Sequence, residues 1–171
     1  GYREAGSPMA LAGVGVDIVE IARMERILER TPRFARRVFT DEERAYCEST
    51  ARPAAHYACR FAAREATLKA LGCGFAPGVR FDDVSVSTDA SGRPRVELRG
   101  RVAQVAREKG VLSVAVSLSF TREMAVANAV ATTAETAPRI AEQRDPRREL
   151  AESFREARSV IDELERVTDG K

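Results

Sequence analysis

One acid inside an apolar run constrains this chain most. From Leu11 to Val19 the only charged side chain is Asp17, and Val14, Val16 and Ile18 alternate with Gly13, Gly15 and Asp17 at the period of a buried strand. A carboxylate in such a strand is costly to bury unless something pairs with it. A partner is available in the run Arg60 to Leu71, where Glu65 and Lys69 stand one helical turn apart and share a face. Two acids and a lysine brought together in this way suggest a magnesium-phosphate site.

The elements around these residues follow in an alternating order. Ile21, Met24, Ile27 and Leu28 recur at helical spacing until Pro32, which ends that pattern near Thr31. Thr40 with Glu43 three residues later forms a capping box, so a short helix starts there and runs through Cys47. A longer helix is predicted from about Pro53 to Leu71, closed by Gly72-Cys73-Gly74. Val84 to Ser87 and Arg95 to Leu98 alternate polar and apolar residues around the turn-forming Asp89 to Gly92, which describes a hairpin. Val102, Val105 and Ala106 indicate a helix up to Gly110, and Leu112 to Ser119 a strand. The alanine-rich run Met124 to Ala131 fits a strand or a helix equally.

The fold class is therefore α+β, in one domain from Met9 to Thr133. Gly1 to Pro8 resembles a leader left by expression and is set aside. Ala134 to Pro146 has few large apolar side chains and two prolines, as expected of a linker. In the tail from Arg147 to Lys171, Leu150, Phe154, Ala157, Ile161 and Leu164 repeat at amphipathic helical spacing. That helix needs a partner surface, either its own domain or another protein. Cys47, Cys59 and Cys73 are odd in number and lack metal-ligand spacing, so they are expected to be free thiols of a reducing cytoplasm, and with His56 they are read as structural. No run approaches the roughly 18 apolar residues of a membrane helix, so no membrane partner is expected.

Several of these segments carry a resemblance in register. Gly13 to Ile21, Arg33-Phe34, Phe39 to Glu43, Arg60 to Gly72 and Val116 to Ser119 resemble the holo-acyl-carrier-protein synthases, the small class of 4′-phosphopantetheinyl transferases. The resemblance spans about Leu11 to Thr132 and leaves out the tail. It implies a 4′-phosphopantetheinyl transferase-like domain that forms trimers with active sites between neighbouring protomers. It also implies a magnesium-dependent transfer of phosphopantetheine from coenzyme A to a serine of an acyl carrier protein, releasing adenosine 3′,5′-bisphosphate. On this basis Asp17 and Glu65 are the metal ligands, Glu65 and Lys69 the catalytic residues, and Arg60, Lys69, Ser119 and Thr121 hold coenzyme A.

The chain departs from the family at one telling place. Where the Ser-Leu-Ser stretch is typically followed by a histidine associated with coenzyme A phosphate, this chain has Phe120, which donates no hydrogen bond. Arg122 is a candidate to compensate; the alternative is a lapsed or repurposed homologue that binds carrier proteins or coenzyme A thioesters. Met124, where an aromatic is common, is a simple gap-filling change. The carrier itself is argued from charge: Ala22 to Thr40 holds six arginines against two glutamates, a basic stretch suited to an acidic protein. By position Arg23 and Arg33 become the carrier contacts, on a helix expected to lie beside the neighbouring protomer's metal site. The stretch matches no nucleic-acid-binding signature.

Overall fold

The structure, a computed structural model, describes residues 13–74, 76–135 and 146–168. The leader, Leu11 and Ala12 of the expected first strand, and most of the expected linker lie outside the described residues. The chain divides into two compact units, Gly1–Ala137 and Pro138–Lys171.

In the first unit the order is β1 (Gly13–Glu20), α1 (Ile21–Arg30), α2 (Pro32–Val38), α3 (Asp41–Glu48), α4 (Pro53–Leu71), β2 (Val84–Thr88), β3 (Pro94–Leu98), α5 (Gly100–Glu108), β4 (Val111–Phe120) and β5 (Met124–Thr133). Most boundaries follow from local signals. Thr40 and Glu43 make the reciprocal capping box of α3, and α4 closes on Gly72 in the left-handed conformation at φ 65°. Pro32 ends α1 and also opens α2 at its first turn, because proline's fixed φ and missing N–H suit that position. The alanine-rich run resolves as the strand β5.

β1, β5 and β4 form an antiparallel sheet in that order, with β5 in the middle, and β2 pairs with β3 in a separate hairpin. Helix α4 lies across the sheet. It lies close, because the facing side chains are small: Ala62, Ala63, Ala66 and Ala70 on the helix meet Ala127, Ala129 and Ala131 on β5, all buried. Gly13 and Gly15 continue this surface on β1. A Cβ built on Gly15 would fall 1.9 Å from the Ala66 carbonyl oxygen, and one on Gly13 1.8 Å from that of Ala70.

This packing corrects the expectation for β1. The strand is not buried on its valine face: Val14, Val16 and Ile18 are 64%, 47% and 57% exposed, whereas Gly15 is buried. Periodicity identifies two faces without saying which one the helix covers, and here the helix takes the glycine face because only that face admits its backbone. Val130 of β5, paired with Val14, extends the exposed apolar face.

A buried ion pair ties α4 to its surroundings. Arg64 and Glu43 are both nearly inaccessible; Arg64 donates to both Glu43 oxygens and, through Nε, to the Phe81 carbonyl at 3.1 Å. Glu43 also accepts from the Val86 and Thr40 amides at 3.2 and 3.1 Å, so one carboxylate joins α3, α4 and β2. The second unit contains α6 (Pro146–Thr168), on which Leu150, Phe154 and Ile161 are exposed. Among the described residues no helix is long and apolar enough to cross a membrane.

Candidate active site

Helix α4 carries chemistry on two different sides. Residues 60 and 65 differ by five positions, roughly 140° around a helix turning 100° per residue, so Arg60 and Glu65 look away from each other. Each borders its own cavity.

The first cavity, of about 600 Å³, is lined by Asp17, Arg23, Phe34, Phe61, Glu65 and Met124 among others. Asp17 comes from the inner face of β1, opposite Ala127 of β5, and points toward α4. Lys69 Nζ donates to Asp17 Oδ1 at 3.0 Å and to the Val16 carbonyl at 3.1 Å. Burial raises the Glu65 carboxyl above its ordinary range; the Asp17 charge adds to the rise and Lys69 opposes it. The two acids and the lysine expected to act together are therefore within electrostatic reach of one another. Among the described residues no three metal-type side chains cluster. Two carboxylates fit magnesium, which usually takes one or two from the protein and leaves its other positions to water and phosphate.

The second cavity, of about 180 Å³, is lined by Tyr46, His56, Arg60, Thr88, Leu118 and Phe120 among others. The Arg60 guanidinium lies 4.2 Å over the Tyr46 ring, and among the described residues its buried Nε has no hydrogen-bond partner. Its longest-reaching contact is to Thr88 Oγ1 at 3.5 Å. Arg52 stacks on Phe120 from outside, 5.4 Å from the ring centroid, and is held there by the Thr121 and Arg122 carbonyls at 3.3 and 2.8 Å.

The remaining expected residues are distributed around these cavities. Ser119 faces the outer side of the sheet beside Val126, apart from the Arg60 cavity. The Thr121 hydroxyl is engaged in the turn between β4 and β5, accepting from the Met124 and Glu123 amides at 3.1 and 3.3 Å. Arg122, the candidate substitute for the absent histidine, is exposed on that turn and contributes its carbonyl to Arg52. Arg33 is exposed on α2, while Arg23 borders the acids of its own chain as well as facing solvent.

Sequence reading passed over Tyr46, Arg52 and the pairing of Glu43 with Arg64, and took His56 as structural only. For His56 a signal existed: it stands four residues before Arg60, the spacing that singled out Glu65 and Lys69.

Comparison with known proteins agrees with this architecture. Residues 13–134 match the family described as the 4′-phosphopantetheinyl transferase superfamily. Over 116 residues the chain is 47% identical to the protein named holo-[acyl-carrier-protein] synthase of Moorella thermoacetica, covering 68% of this chain and 90% of that one. The protein of the same name in Geobacter metallireducens is 44% identical over 119 residues, 69% of this chain and 94% of its own. Among solved structures, holo-[acyl-carrier-protein] synthase of Neisseria meningitidis is similar with a TM-score of 0.65 at 32% identity, covering 71% of this chain and 98% of that one. The Helicobacter pylori synthase, solved in complex with coenzyme A, has a TM-score of 0.62 at 28% identity over 70% of this chain and 99% of its own. Helix α6 lies beyond the matched residues. From Gly13 to Ala134, therefore, the chain belongs to the 4′-phosphopantetheinyl transferase superfamily.

Proposed function

We propose that this protein transfers 4′-phosphopantetheine from coenzyme A to a serine of an acyl carrier protein, with magnesium held by Asp17 and Glu65. Asp17 and Glu65 on one cavity, with Lys69 bonded to Asp17, support this reading most directly. When bound, the cation would offset the charge of the diphosphate during its cleavage.

The protein's own groups divide the remaining work. Glu65 takes the proton of the carrier serine, whose oxygen bonds to the phosphorus of the phosphopantetheine. The bond from that phosphorus to the bridging oxygen breaks, and adenosine 3′,5′-bisphosphate leaves with the electron pair. Lys69 has three N–H donors, of which Asp17 and the Val16 carbonyl take two, so one is free for the departing phosphate. Arg60, with a buried donor unpartnered, takes a coenzyme A phosphate.

Because Arg60 and Glu65 face opposite sides of α4, one ligand reaches both kinds of group only where two copies meet. The exposed apolar face of β1 and β5 provides a surface for that association, and we read the assembly as a trimer. Arg23 and Arg33 then present a basic surface to the acidic carrier. Incubation with coenzyme A, magnesium and an apo carrier protein, followed by mass spectrometry of the carrier, tests the reading. A carrier heavier by one phosphopantetheine is the expected product; an unchanged carrier would refute it.

A further inference from the structure

The Arg60 cavity contains one residue that the proposed reaction has not used. His56 stands on α4 a turn before Arg60, between two aromatic rings: Tyr46 meets it edge-on with centroids 5.6 Å apart, and Phe120 edge-on at 5.3 Å. These contacts fix the plane of the imidazole but leave its nitrogens free. Among the described residues neither nitrogen has a hydrogen-bond partner.

The neighbours define what the imidazole would meet. No carboxylate lines the cavity, whereas Arg60 does, with its Nε orphaned although the residue is only 3% exposed. The Arg52 guanidinium stacks on Phe120 without itself lining the cavity. One buried guanidinium and a free imidazole bordering a concave, carboxylate-free space suit a phosphate. Phe120, moreover, stands where the family resemblance leads one to expect a histidine, and the ring it touches is one. The imidazole is present in the cavity, supplied from the helix rather than from the strand.

We propose that His56 is a phosphate-binding residue of the coenzyme A site, taking with Arg60 the phosphate that a residue at position 120 cannot hold in this chain. The inference rests on the coenzyme A reading above. It assigns His56 to binding and places it outside the group that handles the serine proton. Burial, then the charges of Arg60 and Arg52, lower the His56 pKa, so the free ring is largely neutral near pH 7. An arriving phosphate opposes those charges, and binding is accompanied by proton uptake at His56.

Calorimetric titration of coenzyme A into the intact protein tests this, in two buffers of different ionisation enthalpy so that bound protons are counted. Wild-type protein should bind with proton uptake. His56→Phe should bind about tenfold more weakly, the loss of one hydrogen bond to a charged group, and without that uptake. His56→Phe combined with Phe120→His, which exchanges the two rings across their contact, should recover most of the affinity. Circular dichroism and the melting temperature of each variant establish that the fold is retained. Undiminished binding by a folded His56→Phe variant, or uptake that persists in it, overturns the proposal while leaving the transferase reading intact. Wild-type protein that fails to bind coenzyme A overturns the reading beneath it and the proposal together.

Discussion

The two sides of α4 differ in sign. Toward β1 the helix presents Glu65 to a roomy cavity lined by Asp17, to which Lys69 is bonded; toward β2 and the end of β4 it presents His56 and Arg60 to a small, aromatic-walled cavity without a carboxylate. The first suits a cation and the second an anion. The magnesium-bound diphosphate of the proposed reaction would need both, and a single helix cannot turn both toward one ligand. On the proposed function, the difference points to a substrate site shared between copies, each contributing opposite halves to two different sites.

The strongest way to break that comparison is to remove the acidic half. Asp17→Ala or Glu65→Ala should abolish carrier modification, measured by mass spectrometry, while the melting temperature stays near that of wild type. Transfer near the wild-type rate in either variant at limiting magnesium would remove the acids from the mechanism. Sharpening comes from mixing. Glu65→Ala and Arg60→Ala proteins, each inactive alone, should regain transfer when unfolded and refolded together, up to roughly a quarter of the wild-type rate, the statistical share of sites built from two intact halves. Mixtures as inactive as their components would place the whole site in one chain.

A smaller effect tests the scaffold between the two sides. Arg64→Ala leaves the Glu43 carboxylate buried without its cation and should cost about 3 to 5 kcal/mol in denaturant unfolding, because an uncompensated buried charge is worse than no pair. The smallest effect concerns the carrier. Arg33→Glu should weaken carrier binding and flatten its salt dependence while leaving coenzyme A affinity nearly unchanged, since an exposed charge acts through a long-range attraction that salt screens, whereas Arg23 lines the acid cavity and is left in place. Equal loss of both affinities would assign the carrier to another surface.

Much of this was legible in the sequence, and the exceptions share a cause. The span of α4 was readable from Pro53 to Leu71 because proline and glycine mark its ends chemically, and Glu65 with Lys69 because one helical turn aligns them. The burial of β1 was misread because alternation is symmetric between faces, and only the close approach of α4 makes the glycine face the inner one. Helix α2 was missed because Pro32 gives a stop signal and a start signal in one residue. The acids and cations of α4 were legible, but their separation between two cavities was not, since it depends on what packs against each side of the helix. Tyr46 and Phe120 reach the Arg60 cavity from other elements, and no spacing announces a meeting across the tertiary fold.

The cysteines, silent in all of this, provide a clock. Cys47, Cys59 and Cys73 are at most 3% exposed, and burial pushes the first two thiols up to about 12 and about 11, with Cys73 also raised. Thiols so protonated and enclosed are inert until the structure around them opens. Cys59 directly precedes Arg60 and donates through Sγ to the Ser119 carbonyl at 3.8 Å, where α4 meets β4. Its labelling rate with a thiol reagent therefore times the opening of that seam, and coenzyme A seated against Arg60 should slow the labelling of Cys59 more than that of Cys73. A chain without a single tryptophan thus carries its own residue-level reporter at the seam between α4 and β4.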